Sequence, residues 1–280
     1  MITRIAPTPS GFLHKGNIYN FLLSWLMARA HGGKVMLRID DADTERKRIE
    51  YVEDIFRVLD ALELDWDIGP SGPDELESKW SQTFRLDLYH SLLQKLIDVE
   101  VVYACHCSRT KQTGDNHHCR CKQMKLPLQD SLSSWKINMP EETKIIINEK
   151  EPKLIEVNDF VVRKKDGRPA YTICSLADDL QFSITHIVRG EDLLESTARQ
   201  LFIDSQLPNP SFYQVYFWHH QLLHHQTGEK LSKSAGIQAH STLMHESPRN
   251  ILRDFAQWMG WNADQYSTLP EMIRHPMWNE

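Results

Sequence analysis

At 280 residues the chain is long enough to bury a full core, and its length suits one large domain carrying an insertion. With 41% hydrophobic and 25% charged residues it matches a globular protein, and no apolar run reaches membrane-spanning length. A net charge of −6 argues against a surface given over wholly to nucleic acid. Basic clusters at Arg109, Lys111, Arg120, Lys122 and Lys125, and at Arg163, Lys164, Lys165 and Arg168, leave room for local contacts. Met1-Ile2-Thr3-Arg4 leads straight into a strand, so no secretory leader is expected and a cytoplasmic location is.

Arg4 to Ala6 is extended, because Ala6 and Thr8 each precede a proline and are steered from the helical region. Ser10-Gly11 is a turn. From Ile18 the apolar residues Ile18, Phe21, Leu22, Trp25 and Leu26 mark an amphipathic helix, ended by Gly32-Gly33. A helix start with small residues and His14 beside it suits an anion, since its outward N–H groups are open. Lys34 to Asp40 alternates and reads as a strand, completing a βαβ unit and implying a parallel sheet. Ligands of such sheets lie beyond the carboxyl ends of the strands. The acidic run Asp40-Asp41-Ala42-Asp43 and the turn Thr8 to Gly11 both fall there, so they are expected to face one pocket.

Arg46 to Leu64 is a second helix with Ile49, Val52, Ile55, Phe56, Leu59 and Leu62 on one stripe. A third runs from Ser81 to Val99 with Phe84, Leu88, Leu92, Leu93 and Leu96 inward. Then Cys105-His106-Cys107 and Cys119-Arg120-Cys121 form two pairs separated by eleven residues. This spacing suits a structural zinc ion on four thiolates, one per chain, with His117 or His118 as the alternative fourth ligand.

Lys144 to Ile147 and Leu154 to Val157 read as paired strands, and Phe160 to Arg163 as another, so 101–169 is expected to be a partly β insertion. Ala170 to Ile173 is a helix or strand lead-in, Ile184 to Asp192 a buried strand ending in charge, Leu193 to Leu207 a helix, and Tyr213 to Trp218 a strand. Gly228 to Gly236 is a small-residue loop with Lys230 and Lys233 three apart, suited to clamping a polyphosphate. Taken alone, it reads more plainly as a solvated surface loop. Pro248 to Met259 is a last helix, followed by a polar tail.

Taken together these stretches resemble class I aminoacyl-tRNA synthetases, and within them the glutamyl-tRNA synthetase catalytic domain. Leu13-His14-Lys15-Gly16-Asn17 is similar to the HIGH signature, and Lys230-Leu231-Ser232-Lys233-Ser234 to KMSKS with Leu for Met. Arg38 to Asp43 resembles that family's RIEDTD stretch, with further likeness at Arg4 to Gly11, Leu64 to Pro70, Tyr103 to Arg109, Tyr171 with Asp178-Asp179, and Arg189 to Arg199. The resemblance implies an α/β, Rossmann-type catalytic domain over 1–100 and 170–280, split by a zinc-bearing, acceptor-stem-like insertion at 101–169.

The Cys-rich insert, and an end soon after the KMSKS-like loop with no anticodon-binding domain, are similar to the short glutamyl-Q tRNA(Asp) synthetase paralogues. That likeness implies ATP-dependent activation of L-glutamate without tRNA, transfer to queuosine of tRNA(Asp), magnesium accompanying ATP, and a monomer. It also implies roles for residues. His14 and Lys233 would be catalytic; Gly16, Asn17 and Lys230 would join them around ATP. Arg4, Ala6, Thr8, Ser10, Asp40, Tyr171 and Arg189 would line the glutamate site. Cys105, Cys107, Cys119 and Cys121 would hold zinc, Cys119 falling near a position where the paralogues have tyrosine. Asp40 stands where the family has glutamate, so its carboxylate is drawn back by about one C–C bond, roughly 1.5 Å. A truncated glutamyl-tRNA synthetase charging tRNA(Glu), and a non-catalytic tRNA- or ATP-binding paralogue, are the competing readings.

Overall fold

The computed structural model describes residues 1–107, 119–223 and 241–279. The loop with Lys230 and Lys233, and His117 and His118, lie outside the described residues. In chain order the elements are β1 (Ile2–Ile5), α1 (Lys15–Ala30), β2 (Lys34–Leu37), α2 (Ile49–Ala61), α3 (Pro73–Glu75), α4 (Leu86–Asp98) and β3 (Val102–Cys105). They continue with α5 (Cys121–Met124), β4 (Ser134–Ile137), β5 (Lys144–Ile147), β6 (Lys153–Glu156), β7 (Val161–Arg163) and α6 (Tyr171–Gln181). The last are β8 (His186–Gly190), α7 (Leu194–Ser205), β9 (Tyr216–His220), α8 (Pro248–Trp258) and α9 (Leu269–Ile273). Among the described residues no helix is long and apolar enough to cross a membrane.

Two compact units are formed. The first comprises 1–84, 183–192 and 215–280. Here β1 pairs with β2 in parallel, and β8 with β9 in parallel, as the βαβ reading requires. Thr185 N donates to Ile2 O at 3.0 Å, bringing the start of β8 alongside β1. The core joins Ile5, Val35, Leu37 and Val188 of the strands to Leu22 and Leu26 of α1 and Phe255 of α8. Helix α1 is not amphipathic, as its leading stripe suggested, but buried along Ile18, Tyr19 and Phe21 to Ala28. The reason lies in the supposed polar tail, whose Trp261, Leu269, Met272 and Trp278 join the same core. A Thr268–Glu271 capping box, with Thr268 N donating to Glu271 Oε2 at 3.0 Å, starts α9 there.

In the second unit, 85–182 and 193–214, β3, β4 and β7 form an antiparallel sheet in that order, and β5–β6 is the expected hairpin. The expected insertion 101–169 lies within this unit. Arg85 joins α4 to α6 through a two-pronged bond to Asp178, at 2.7 and 3.0 Å, and Tyr89 OH donates to the same carboxylate at 2.9 Å. Phe84, expected inward, is 58% exposed. Gln82–Arg85 is a 3-10 turn, so the helical period begins only at Leu86, and Tyr89, Leu92, Leu93 and Leu96 carry the buried stripe. Ile49 is also exposed, at the first turn of α2. Strand β9 begins later than expected, because Asp204 accepts from both Ser211 N and Phe212 N at 2.8 Å and bends the chain before it.

Candidate active site and thiol cluster

In the first unit the ends of β1 and β2 are joined beyond their carboxyl termini. Arg38 N donates to Ile5 O at 2.9 Å and Asp40 N to Pro7 O at 2.8 Å. The acidic run therefore starts against Pro7, the residue before the Thr8-to-Gly11 turn. Thr8 and Ser10 are half-buried, with Ser10 N donating to Thr8 O at 2.9 Å, and Ala6 is half-buried beside them. Arg4 lies buried on β1, and its Nη1 donates to Val188 O on β8 at 3.2 Å. Arg189, the next residue on β8, is 2% exposed. Two guanidinium groups so buried are unusual and require hydrogen-bonding partners.

His14 is the N-cap of α1, and Asn17 Oδ1 accepts from its backbone N–H at 3.3 Å. Gly16 leaves room for the imidazole: a Cβ there would lie 3.0 Å from both Cε1 and Nδ1 of His14. Lys15 pairs with Asp254 at 2.7 Å and Glu246 at 2.8 Å. Burial alone would lower the Lys15 pKa; the two carboxylates outweigh it and hold it above the ordinary value.

Asp40 is occupied by a partner that the sequence pattern did not suggest. Arg38 Nε donates to Asp40 Oδ1 at 2.6 Å and Nη2 to Oδ2 at 3.3 Å, with the two side chains 1% and 3% exposed. Gln82 Nε2 adds a 3.4 Å contact to Oδ1. The neighbouring Asp41 accepts from Gln82 N at 2.7 Å and from Lys47 Nζ at 2.8 Å, and Gln82 Oε1 takes the Ala42 N–H at 2.9 Å. Lys47 also pairs with Glu77. Burial opposes its charge, yet Asp41 and Glu77 raise its pKa overall. Gln82 carried no motif, and Arg38 stood in the RIEDTD-like stretch with no role assigned to it; the usable signal was a cation two residues before an acidic run at a strand end, on the same face.

Tyr171 belongs to the second unit, where it opens α6 and is 40% exposed. Also in that unit, the sulfurs of Cys105, Cys107, Cys119 and Cys121 all lie within 4.8 Å of one another. Three pairs measure 3.6 Å (Cys105–Cys119), 3.8 Å (Cys107–Cys119) and 3.8 Å (Cys107–Cys121). A tetrahedral zinc with Zn–S bonds of about 2.3 Å has S···S edges of about 3.8 Å, whereas a disulfide needs about 2.05 Å. The four thiols therefore fit zinc and are not bridged. Burial pushes the Cys105 thiol up to about 12 and raises that of Cys107, while Cys119 is lowered, where burial is outweighed by hydrogen bonds from the Cys121 backbone and neighbouring groups. Tyr103 OH contacts Cys119 Sγ at 3.8 Å and Asp159 Oδ2 at 2.8 Å, and Lys122 pairs with Asp159 at 2.9 Å. Of these outer partners Tyr103 stood in a family-like stretch with no role assigned, and Asp159 and Lys122 in none; such groups orient metal-binding thiolates.

Two parallel strand pairs with helices between them, and a separate thiol-bearing unit, make up a class I synthetase catalytic fold. The match to known families agrees: the chain belongs to the tRNA synthetases class I (E and Q) catalytic domain family, whose model matches residues 1–275. Among solved structures it is similar to the glutamate-tRNA synthetase of Elizabethkingia anophelis (TM-score 0.79, 23% identity), covering 98% of this chain and 65% of that one. It is equally similar to a glutamate tRNA ligase of Elizabethkingia meningosepticum CCUG26117 in complex with its amino acid (TM-score 0.78, 22% identity, 98% of this chain and 64% of that one). A methionyl-tRNA synthetase of Mycobacterium tuberculosis in complex with methionyl-adenylate is more distant, at TM-score 0.53 and 11% identity, covering 94% of this chain and 63% of that one. At these identities the likeness establishes the fold, and the chain spans less than two thirds of the length of each of these proteins.

Proposed function

We propose that this chain activates L-glutamate with ATP, without tRNA, and transfers the glutamyl group to queuosine of tRNA(Asp). The observation that supports the activation step is the junction at Asp40 N–Pro7 O, which joins the chain after β2 to the chain after β1, beyond the carboxyl ends of two parallel strands where ligands of such sheets lie. In the first step a carboxylate oxygen of glutamate attacks the α-phosphorus of ATP, an acyl–phosphate bond forms, and pyrophosphate leaves. No protein nucleophile is needed; positioning and charge stabilisation supply the rate. His14 and the open N–H groups of α1 take the phosphates, with Gly16 and Asn17 beside them. Arg4 offers its guanidinium fork to the side-chain carboxylate, with Arg189 near the same strand ends. Magnesium enters with ATP. Roles for Tyr171, and for Lys230 and Lys233 on departing pyrophosphate, rest on the family resemblance.

The queuosine acceptor is supported by the likeness of the Cys-rich segment to the short paralogues. Zinc on the four thiols would supply a structural crosslink to the second unit. Glutamate-dependent ATP–pyrophosphate exchange without tRNA tests the first step, and labelled transfer to tRNA(Asp) with and without queuosine, and to tRNA(Glu), tests the second. Exchange together with label on queuosine-containing tRNA(Asp) alone is the expected result. No exchange with any amino acid overturns the activation reading, and charging of tRNA(Glu) overturns the acceptor.

A further inference from the structure

We propose that Asp54 and Thr242 are positioning residues for His14, acting through the backbone of Leu13. The peptide groups of Leu13 are held from two sides. Its N–H donates to Asp54 Oδ2 at 3.0 Å, and its C=O accepts from the Thr242 hydroxyl at 2.7 Å. Both partners are buried, Asp54 fully and Thr242 at 7% exposure, and the Leu13 side chain is 3% exposed in the core. The partners come from remote parts of the chain: Asp54 from the middle of α2, and Thr242 from the stretch that precedes α8.

Helix formation alone does not call for this arrangement. Leu13 precedes the N-cap, so its amide is outside the group that a helix start leaves open. A carboxylate with no exposure is costly to bury unless its bonds are made, and Asp54 directs one oxygen to a single backbone amide. Its other near neighbour, Arg57, stands 3.6 Å away and is half exposed. Asp54 also lies four residues before the buried Val58, on the inward face of α2, where an apolar residue would serve packing equally well.

The consequence falls on the next residue. His14 follows a residue clamped at both peptide groups, and precedes Lys15, which is paired with Glu246 and Asp254. The imidazole thus stands on a backbone fixed by α2 on one side and by residues 242 to 254 on the other. Misplacement of a group at a reacting centre by about 1 Å can cost on the order of 100-fold in rate. The inference rests on the reading of His14 as a group that meets the phosphates.

The test compares the full chain with Thr242→Val, Thr242→Ser and Asp54→Asn, by ATP–pyrophosphate exchange and by amide hydrogen exchange over residues 11–17. Thr242→Val keeps the shape and loses the hydroxyl. It is expected to lower kcat about tenfold or more while the KM for ATP stays within about threefold, and to speed amide exchange over residues 11–17. Thr242→Ser is expected to restore both, and Asp54→Asn to change both in the direction of Thr242→Val. Wild-type kinetics and wild-type amide exchange in Thr242→Val overturn the proposal, as does a loss that Thr242→Ser fails to rescue. If the wild type itself shows no exchange activity, the functional reading has failed, and amide exchange alone still decides whether the clamp holds residues 11–17.

Discussion

Replacing Arg38 with methionine removes one half of a charge pair with almost no exposure, and its cost can be worked from the geometry. The guanidinium meets the Asp40 carboxylate at 2.6 and 3.3 Å, with side-chain exposures of 1% and 3%. Without it, Asp40 loses its opposite charge while its carboxylate stays buried. Removing one partner of such a pair costs about 3–5 kcal/mol, because the remaining charge stays buried. Arg253–Asp264 supplies the control in the same unit: its side chains are 44% and 87% exposed, and Arg253→Met is expected to cost less than about 1 kcal/mol. Urea unfolding followed by tryptophan fluorescence is the assay. Of the eight tryptophans, all but Trp135 lie in the first unit, so the signal reports the unit that holds both pairs. The double variant Arg38→Met/Asp40→Leu, which removes both charges, is expected to recover most of the loss. A cost for Arg38→Met no larger than that for Arg253→Met would refute the reasoning.

Three further outcomes follow from other parts of the structure. Gly16→Ala gains about 1 kcal/mol of helix propensity but sets a Cβ 3.0 Å from the His14 ring, so thermal stability is expected to hold or rise while pyrophosphate exchange falls about tenfold or more; unchanged exchange would contradict the fit. His220 donates from Nδ1 to Gln221 O at 2.9 Å and accepts at Nε2 from Asn20 at 3.1 Å, an arrangement of the neutral ring, and burial holds its pKa below the usual value. The unfolded chain therefore takes up the proton first: this stability is complete above about pH 6.5 and is lost as pH falls toward the folded value, by up to about 1.4 kcal/mol per pH unit. His220→Gln should flatten that slope in unfolding measurements at pH 7.5 and 5.5, and parallel slopes would rule the ring out as its source. Cys119→Ser should reduce bound zinc well below about one per chain by metal analysis, and chelation should lower the melting temperature of the wild type; full zinc content in the variant would remove Cys119 from the ligand set.

The parts of the fold that were legible in sequence are those fixed by local pattern. Strand, turn and helix from Ile2 to Ala30 follow from two X-Pro steps and an apolar repeat, and the thiol cluster follows from two Cys-x-Cys pairs. The parts that escaped depend on partners far along the chain. Phe21 to Ala28 is apolar at all but Ser24, a local sign of burial all round that the chosen stripe passed over, while the covering residues, Trp261 to Trp278, come more than two hundred positions later. Their own signal was present, as Thr268-Leu269-Pro270-Glu271 is a capping box with proline in the first turn, but it starts a helix of only five residues with too few positions to show a period. Asp54 was hidden differently: an acid among Val52, Ile55 and Leu59 reads as the edge of the polar face until its amide partner on Leu13 is known.

The acidic run at the end of β2 changes meaning once its partners are counted. In sequence, Asp40, Asp41 and Asp43 within four positions suggest a strongly negative edge. In the fold, Asp40 is neutralised by Arg38 and Asp41 by Lys47, and Asp43 stands 3.9 Å from Arg46. Glu77, the remaining carboxylate around Lys47, is 53% exposed and screened by solvent. The field at the end of β2 is therefore far weaker than three aspartates alone would make it. That suits a polyphosphate substrate, which a bare acidic edge would repel. It also fits magnesium arriving as part of the nucleotide, held by phosphate oxygens and water, since this ion is commonly bound through substrate phosphates and only one or two carboxylates.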